Sequence, residues 1–236
     1  MAIQALVFDV FGTLVDWRSS IAKEAQTILT PLGLTTDWHQ FADAWRNEYQ
    51  PAMEKIRSGQ RAFCDLDQLH LDNLELVLAR LGWNQVDQGT KVHLNRAWHR
   101  LAAWPDVSEA MKLLRSRFIL APCSNGHIAL MVQLARTNDW HWDAIAGAEL
   151  AGDYKPQPKV YLRSAAALGC RPEETMMVAA HSSDLEAAAH AGLKTAFIAR
   201  PDECGPGLGE SVPTVPVDWV GENLLDLAKK LTTNAG

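Results

Sequence analysis

The 236-residue chain predicts an α/β fold: a doubly wound parallel-sheet (Rossmann-like) core with an all-helical segment inserted after its first strand. Three observations carry this. Residues 3–8 are apolar at five positions of six, two of them β-branched, and the run stops at Asp9. The next convincing strand, 117–123, begins over one hundred residues later, whereas a simple crossover takes about 30. Beyond Trp104, helix and strand patterns alternate.

In order, residues 3–8 form the first strand, and Gly12 supplies the turn beyond Asp9, permitting close approach by a substrate. Ser19 or Ser20 caps a helix to about Thr30, closed near Pro31-Leu32-Gly33. A second runs from Asp37 towards Tyr49 with Phe41, Trp45 and Tyr49 on one face. Pro51 disturbs it, and a further turn through Met53 and Ile56 precedes Ser58-Gly59. Leu74, Val77, Leu78 and Leu81 mark another helix before Gly82, and Leu94, Trp98 and Leu101 one more. The expected division is a helical domain over 16–98 and an α/β core domain over 1–15 and 99–236.

In the core, Asp106 to Glu109 opens a helix carrying Val107, Met111, Leu114 and Phe118, and the strand to Cys123 follows. Ile128, Met131, Val132 and Ala135 give a helix, 144–147 a short strand, and 160–168 a helix closed by Gly169. Residues 175–180 read as strand, 184–191 as helix ended by Gly192, and 195–199 as strand. Four prolines and three glycines make 201–216 an irregular surface excursion. Val220, Leu224, Leu227 and Leu231 then form a terminal helix, with Lys229 and Lys230 near its negative end.

Composition narrows the function. A net charge of −6 provides no basic footprint for nucleic acid. No apolar run reaches the roughly 20 residues of a membrane span, and Met1-Ala2-Ile3-Gln4 leads straight into the first strand, leaving no room for a signal peptide. Cys64, Cys123, Cys170 and Cys204 are scattered, suggesting neither a disulfide framework nor a zinc site, and point to a reducing cytoplasm. Most of the nine tryptophans are packing residues, and several wall an apolar pocket.

Polar residues collect where strands or loops end: Asp9, then Ser124-Asn125, then Lys155 in a loop stiffened by Pro156 and Pro158, then Asp184. In open α/β sheets, ligands bind at the carboxyl ends of strands. Asp9-Val10-Phe11-Gly12-Thr13 resembles the first motif of the haloacid dehalogenase superfamily, whose Asp is the nucleophile. The other three stand in the order of that superfamily's remaining motifs, so the resemblance covers essentially the entire chain. It implies that the helical segment is a cap.

The resemblance also implies roles. Asp9 is the nucleophile, and Lys155 keeps it ionised: at about 4 Å and an effective dielectric near 20, such a pair attracts by about 4 kcal/mol. Asp184 holds Lys155 and orients water, while Ser124 and Thr13 fix the carboxylate of Asp9 or of the substrate. Phosphatases of the superfamily carry a second Asp where Phe11 stands, and two acids in the last motif where this chain has only Asp184. Magnesium prefers oxygen ligands, and few are offered, so no metal or other cofactor is expected. A departing halide needs neither proton nor metal, and an aromatic residue at Phe11 resembles the 2-haloacid dehalogenases. Substrate-binding positions are then Phe11, Thr13, Asn125, Trp17 and His181, with Arg46 receiving the halide and Arg18 its competitor. His181 stands where the best-known members carry Asn, and Ala179 where they carry Ser, so the family's hydrogen-bonding pattern changes there and three roles stay open for His181: positioning water, holding the halide, or satisfying backbone groups. The expected partners are a small haloacid and its halide, and the resemblance favours a homodimer. The alternatives are a Mg²⁺-dependent phosphatase or phosphonatase, and a catalytically silent domain binding a small acid.

Overall fold

β1 (Ala5–Phe8) is the centre of the sheet, because every one of its side chains is buried and it hydrogen-bonds on both edges. The structure, a computed structural model, describes residues 2–233; Met1 of the expected start and 234–236 of the expected core lie outside them. The strands of the sheet are β1, β4 (Ile119–Ser124), β5 (Ala146–Gly147), β6 (Thr175–Ala179), β7 (Lys194–Ile198) and β8 (Trp219–Gly221), ordered β5-β4-β1-β6-β7-β8, all parallel. Alternate residues face opposite sides. Leu6, Phe8, Leu120, Met176 and Val178 join one apolar layer; Val7, Ala121, Cys123, Met177 and Ala179 join the other. Burial of a side chain such as Leu6 stabilises the fold by about 1.5–3 kcal/mol.

On the first face lie α6 (Val107–Arg115), α7 (Ile128–Thr137) and α11 (Leu224–Thr233), whose buried residues join the larger cluster. α9 (Pro158–Ala167) and α10 (Ser182–His190) cover the second. Pro158 suits the start of α9, where its missing N–H has no helical partner. A short α8 (Ala148–Ala151) follows β5 directly.

Five α-helices make up the insertion that follows β1: α1 (Trp17–Leu29), α2 (Trp38–Asn47), α3 (Tyr49–Arg57), α4 (Leu66–Arg80) and α5 (Gln88–Asn95). Asp16, Asp37, Asp65 and Asp87 each accept a backbone N–H at the start of α1, α2, α4 and α5, satisfying donors that a helix cannot. Val15–Asp16 (β2) pairs antiparallel with Ala102–Ala103 (β3), so the chain enters and leaves the helical insertion at one point.

Several expectations need correction. The first insertion helix starts at Trp17, before Ser19, because Asp16 is its cap. The helix that Pro51 disturbs ends earlier than expected: α2 closes at Asn47, the residue whose carbonyl Pro51 cannot bond, and Tyr49 instead opens α3, with Pro51 in its first turn. Leu94, Trp98 and Leu101 do not share one helix, since α5 ends at Asn95 and a 3₁₀ segment spans Arg96–Arg100. Phe118 lies beyond α6, not on it. Val220 belongs to β8, an edge strand beside β7, and the terminal helix begins only at Leu224. Val220 fits the helical period of the residues that follow, yet its side chain is exposed.

Candidate active site

The carboxyl ends of β1, β4 and β6 bring Asp9, Ser124-Asn125 and His181 to one edge of the sheet. The loop after Asp9 is fixed from two sides. Trp104 Nε1 donates to the Gly12 carbonyl at 2.8 Å, and Arg200 Nε to the Thr13 carbonyl at 2.9 Å. Arg200 is itself held by both oxygens of Asp106.

Three donors converge on the Asp9 carboxylate. Lys155 Nζ lies 2.8 Å from Oδ1; Thr13 Oγ1 donates to Oδ2 at 2.7 Å, and His181 Nδ1 lies 3.1 Å from the same oxygen. Thr13 in turn accepts the Ala180 N–H at 3.0 Å. Lys155 Nζ also reaches Asp184 Oδ2 at 2.5 Å, and Tyr161 donates to Asp184 Oδ1 at 2.6 Å. Asn125 Oδ1 accepts the Lys155 backbone N–H at 2.8 Å, pinning the loop. Burial works against the charge on Asp9, but the Lys155 charge and the His181 contact outweigh it and hold Asp9 well below the usual carboxylate range. Burial likewise lowers Lys155, and the charges of Asp184 and Asp9 reverse that and raise it. For Asp184, burial wins over the Lys155 charge and raises the carboxyl.

These groups border a cavity of about 480 Å³ lined by residues including Asp9, Phe11, Arg46, Tyr49, Asn125 and Lys155. Arg46 lies over the Tyr49 ring at 3.9 Å, with Phe11 at 5.7 Å and Trp17 at 5.4 Å. Its Nη1 is buried and makes no hydrogen bond. The ordinary expectation for a helix arginine, a solvated surface charge, is therefore not met. Arg18, by contrast, is held by Asp43 at 2.7 and 2.8 Å and does not line this cavity.

Some expected contacts differ. Ser124 Oγ accepts the Gly126 N–H at 3.1 Å and shapes the turn without reaching Asp9. Trp17 does not line the cavity, whose aromatic walls are Phe11, Tyr49 and Tyr161. Most tryptophan rings pack elsewhere, Trp98 against Trp17, Trp45 and Phe11. The space above Gly12 is not left for substrate: a Cβ there would lie 1.9 Å from Glu203 Oε1, and φ is +84°. Glu203 accepts from Trp17 Nε1 at 3.0 Å and lies 2.8 Å from His181 Nε2. Residues 201–216 thus turn back into the site instead of forming only a surface excursion. Glu210 from the same segment holds the start of α10 through the Ser182 N–H and hydroxyl.

Glu203, Glu210, Tyr49 and Tyr161 were not among the expected site residues. Tyr49 could have been found, because it lies one helical turn after Arg46. Nothing in a Pro/Gly-rich loop marks Glu203.

The donor set does not fit a divalent cation. Both Asp9 oxygens and both Asp184 oxygens already face Lys155, Thr13, His181 or Tyr161, and Lys155 Nζ lies between the two carboxylates. Away from the cavity, Asp67, His99 and His127 gather with ligand atoms within 4.8 Å of one another. Arg96 Nη1 lies 2.9 Å from Asp67 there and balances its charge.

A model of the haloacid dehalogenase-like hydrolases matches residues 3–192. The solved structure of a defluorinating L-2-haloacid dehalogenase superposes with a TM-score of 0.95 at 42% identity, covering 97% of this chain and 95% of that one. A second L-2-haloacid dehalogenase structure gives 0.93 at 43% identity over 98% and 99%. (S)-2-haloacid dehalogenase 4A of Burkholderia cepacia is 28% identical over 202 residues, 84% of each chain. With a match this extensive on this sheet and this edge, the chain belongs to the haloacid dehalogenase-like hydrolase family.

Proposed function

We propose that this protein hydrolyses short 2-haloalkanoic acids to 2-hydroxy acids through an ester on Asp9. Asp9 attacks the halogen-bearing carbon in line, the carbon–halogen bond breaks, and halide leaves with inversion at that carbon. Water then attacks the Asp9 carbonyl and frees the hydroxy acid. The observation that carries this reading is the buried, unpartnered Nη1 of Arg46 in the cavity that holds an ionised Asp9. An unsatisfied buried donor costs about 1–3 kcal/mol, and an anion accepting from it offsets that cost as charge develops on the departing halogen. Phe11 suits a carbon–halogen bond, and the similarity to L-2-haloacid dehalogenases supports the same substrate class.

Residues 16–98 act as a cap in this scheme, since Arg46, Tyr49, Gln50 and Arg57 close the cavity over the sheet edge. Arg57 also donates to the Lys155 carbonyl at 2.8 Å, tying α3 to the lysine loop. The four cysteines are free, which supports a reducing cytoplasm. Among the described residues no helix is long and apolar enough to cross a membrane. The homodimer rests on family resemblance, and light scattering tests it.

The direct test is halide release from chloro-, bromo- and fluoroacetate, with and without EDTA. Release that survives chelation is expected, because cationic side chains occupy the carboxylates a metal would need. A strict requirement for Mg²⁺ would favour the phosphatase reading instead.

A further inference from the structure

His181 lies between two carboxylates, 3.1 Å from Asp9 Oδ2 and 2.8 Å from Glu203 Oε2. Glu203 is 6% exposed, is fixed by the Trp17 indole N–H, and occupies the space that Gly12 leaves by lacking a Cβ. The side chain of His181 is 28% exposed, against 9% for Asp9 and 10% for Asp184, so His181 is the group at the nucleophile that water reaches most readily. Asp184 is a poorer base, because Lys155 and Tyr161 occupy both its oxygens. We propose that His181, oriented by Glu203, is the general base that delivers water to the Asp9 ester. This rests on the reading of Asp9 as a nucleophile.

The charges facing His181 make the step self-timing. In the resting enzyme Asp9 and Glu203 flank the ring, with Lys155 beyond Asp9 and Arg46 near Glu203. Burial lowers the imidazole pKa, but hydrogen bonds to Asp9 and Glu203 more than reverse this and raise it well above the ordinary imidazole value, favouring the charged ring. Alkylation removes the negative charge of Asp9. Nδ1–H loses its anionic acceptor and releases a proton to solvent, while Nε2–H stays on Glu203. Neutral Nδ1 then takes a proton from water as its oxygen bonds to Asp9 Cγ, and Lys155 and Thr13 stand beside the oxyanion. Collapse breaks the bond between Cγ and the alkyl oxygen, and the hydroxy acid departs with the Nδ1 proton. The acidic proton of regenerated Asp9 passes to Nδ1, restoring the ion pair. Glu203 is a positioning residue that fixes the ring's tautomer and direction.

The test uses chloroacetate with the full-length wild type, H181Q, H181N and E203Q, followed by rapid quench and intact-mass analysis. In the histidine variants the first chloride per active site should appear near the wild-type rate. Steady-state turnover should fall at least about 100-fold, the range of a lost general base. A carboxymethyl adduct should accumulate on the peptide containing Asp9. E203Q keeps an acceptor for Nε2–H but loses the charge, and should accumulate the same adduct with about a tenfold loss. A purely structural role would slow the burst and turnover together, without adduct, and that result overturns the proposal. So does wild-type turnover in either histidine variant. A wild type that releases no chloride would instead overturn the dehalogenase reading itself.

Discussion

Arg46 combines a guanidinium 3.9 Å from the Tyr49 ring with a buried Nη1 that has no acceptor. If that atom receives the developing halide, Arg46→Ala should lower kcat at least about tenfold, or roughly 1.4 kcal/mol of transition-state stabilisation. Steady-state kinetics on chloroacetate check this, and unchanged kcat would reject the role. Arg18→Ala should leave kcat unaltered, since Asp43 already engages that guanidinium. At this scale the sequence was informative where a polar residue follows the end of a strand or sits in a stiffened loop. Asp9, Asn125 and Asp184 follow strand patterns, Lys155 lies beside Pro156 and Pro158, and the structure brings all four to one cavity. Ser124 was legible as a position but not as a contact, because its hydroxyl serves its own turn. Glu203 was illegible: its partner His181 is 22 residues away, and only the return of an irregular loop brings them together.

Among elements, the helical insertion is joined to the α/β layer by more than the paired β2 and β3. Asp67 in the first turn of α4 reaches His99 at 2.7 Å in the 3₁₀ segment, and His127 at 3.7 Å just before α7. Burial opposes the Asp67 charge, but the His99 hydrogen bond and nearby positive groups lower its pKa regardless. Asp67→Asn preserves shape and removes the charge, so it should destabilise the fold by about 1–3 kcal/mol. Urea denaturation measures this; an unchanged midpoint would show that the cluster contributes nothing. The same contacts explain which elements could be read. Amphipathic runs such as Leu74 to Leu78 declare a helix locally. Val220 could not, because a three-residue edge strand is defined by its hydrogen bonds to β7 and carries too short a pattern to reveal a period of two.

For the whole molecule, the order β5-β4-β1-β6-β7-β8 explains why residues far apart in sequence share one chemistry. β1 lies between β4 and β6, so Asp9 emerges between the chain ends that carry Asn125 and His181. Alternation of helix and strand beyond Trp104 made the parallel sheet predictable, and the long gap after Asp9 made the insertion predictable. Which wall of the cavity each part supplies was not, because that depends on how α2 and α3 fold back over the sheet edge. The central claim is covalent: Asp9 itself becomes the ester. A single turnover of chloroacetate in ¹⁸O-water, with enzyme in excess, tests it most directly. Attack of water on the Asp9 carbonyl predicts hydroxy acid largely free of label and label in the peptide containing Asp9. Heavily labelled product from that first turnover, with an unlabelled Asp9 peptide, would contradict it.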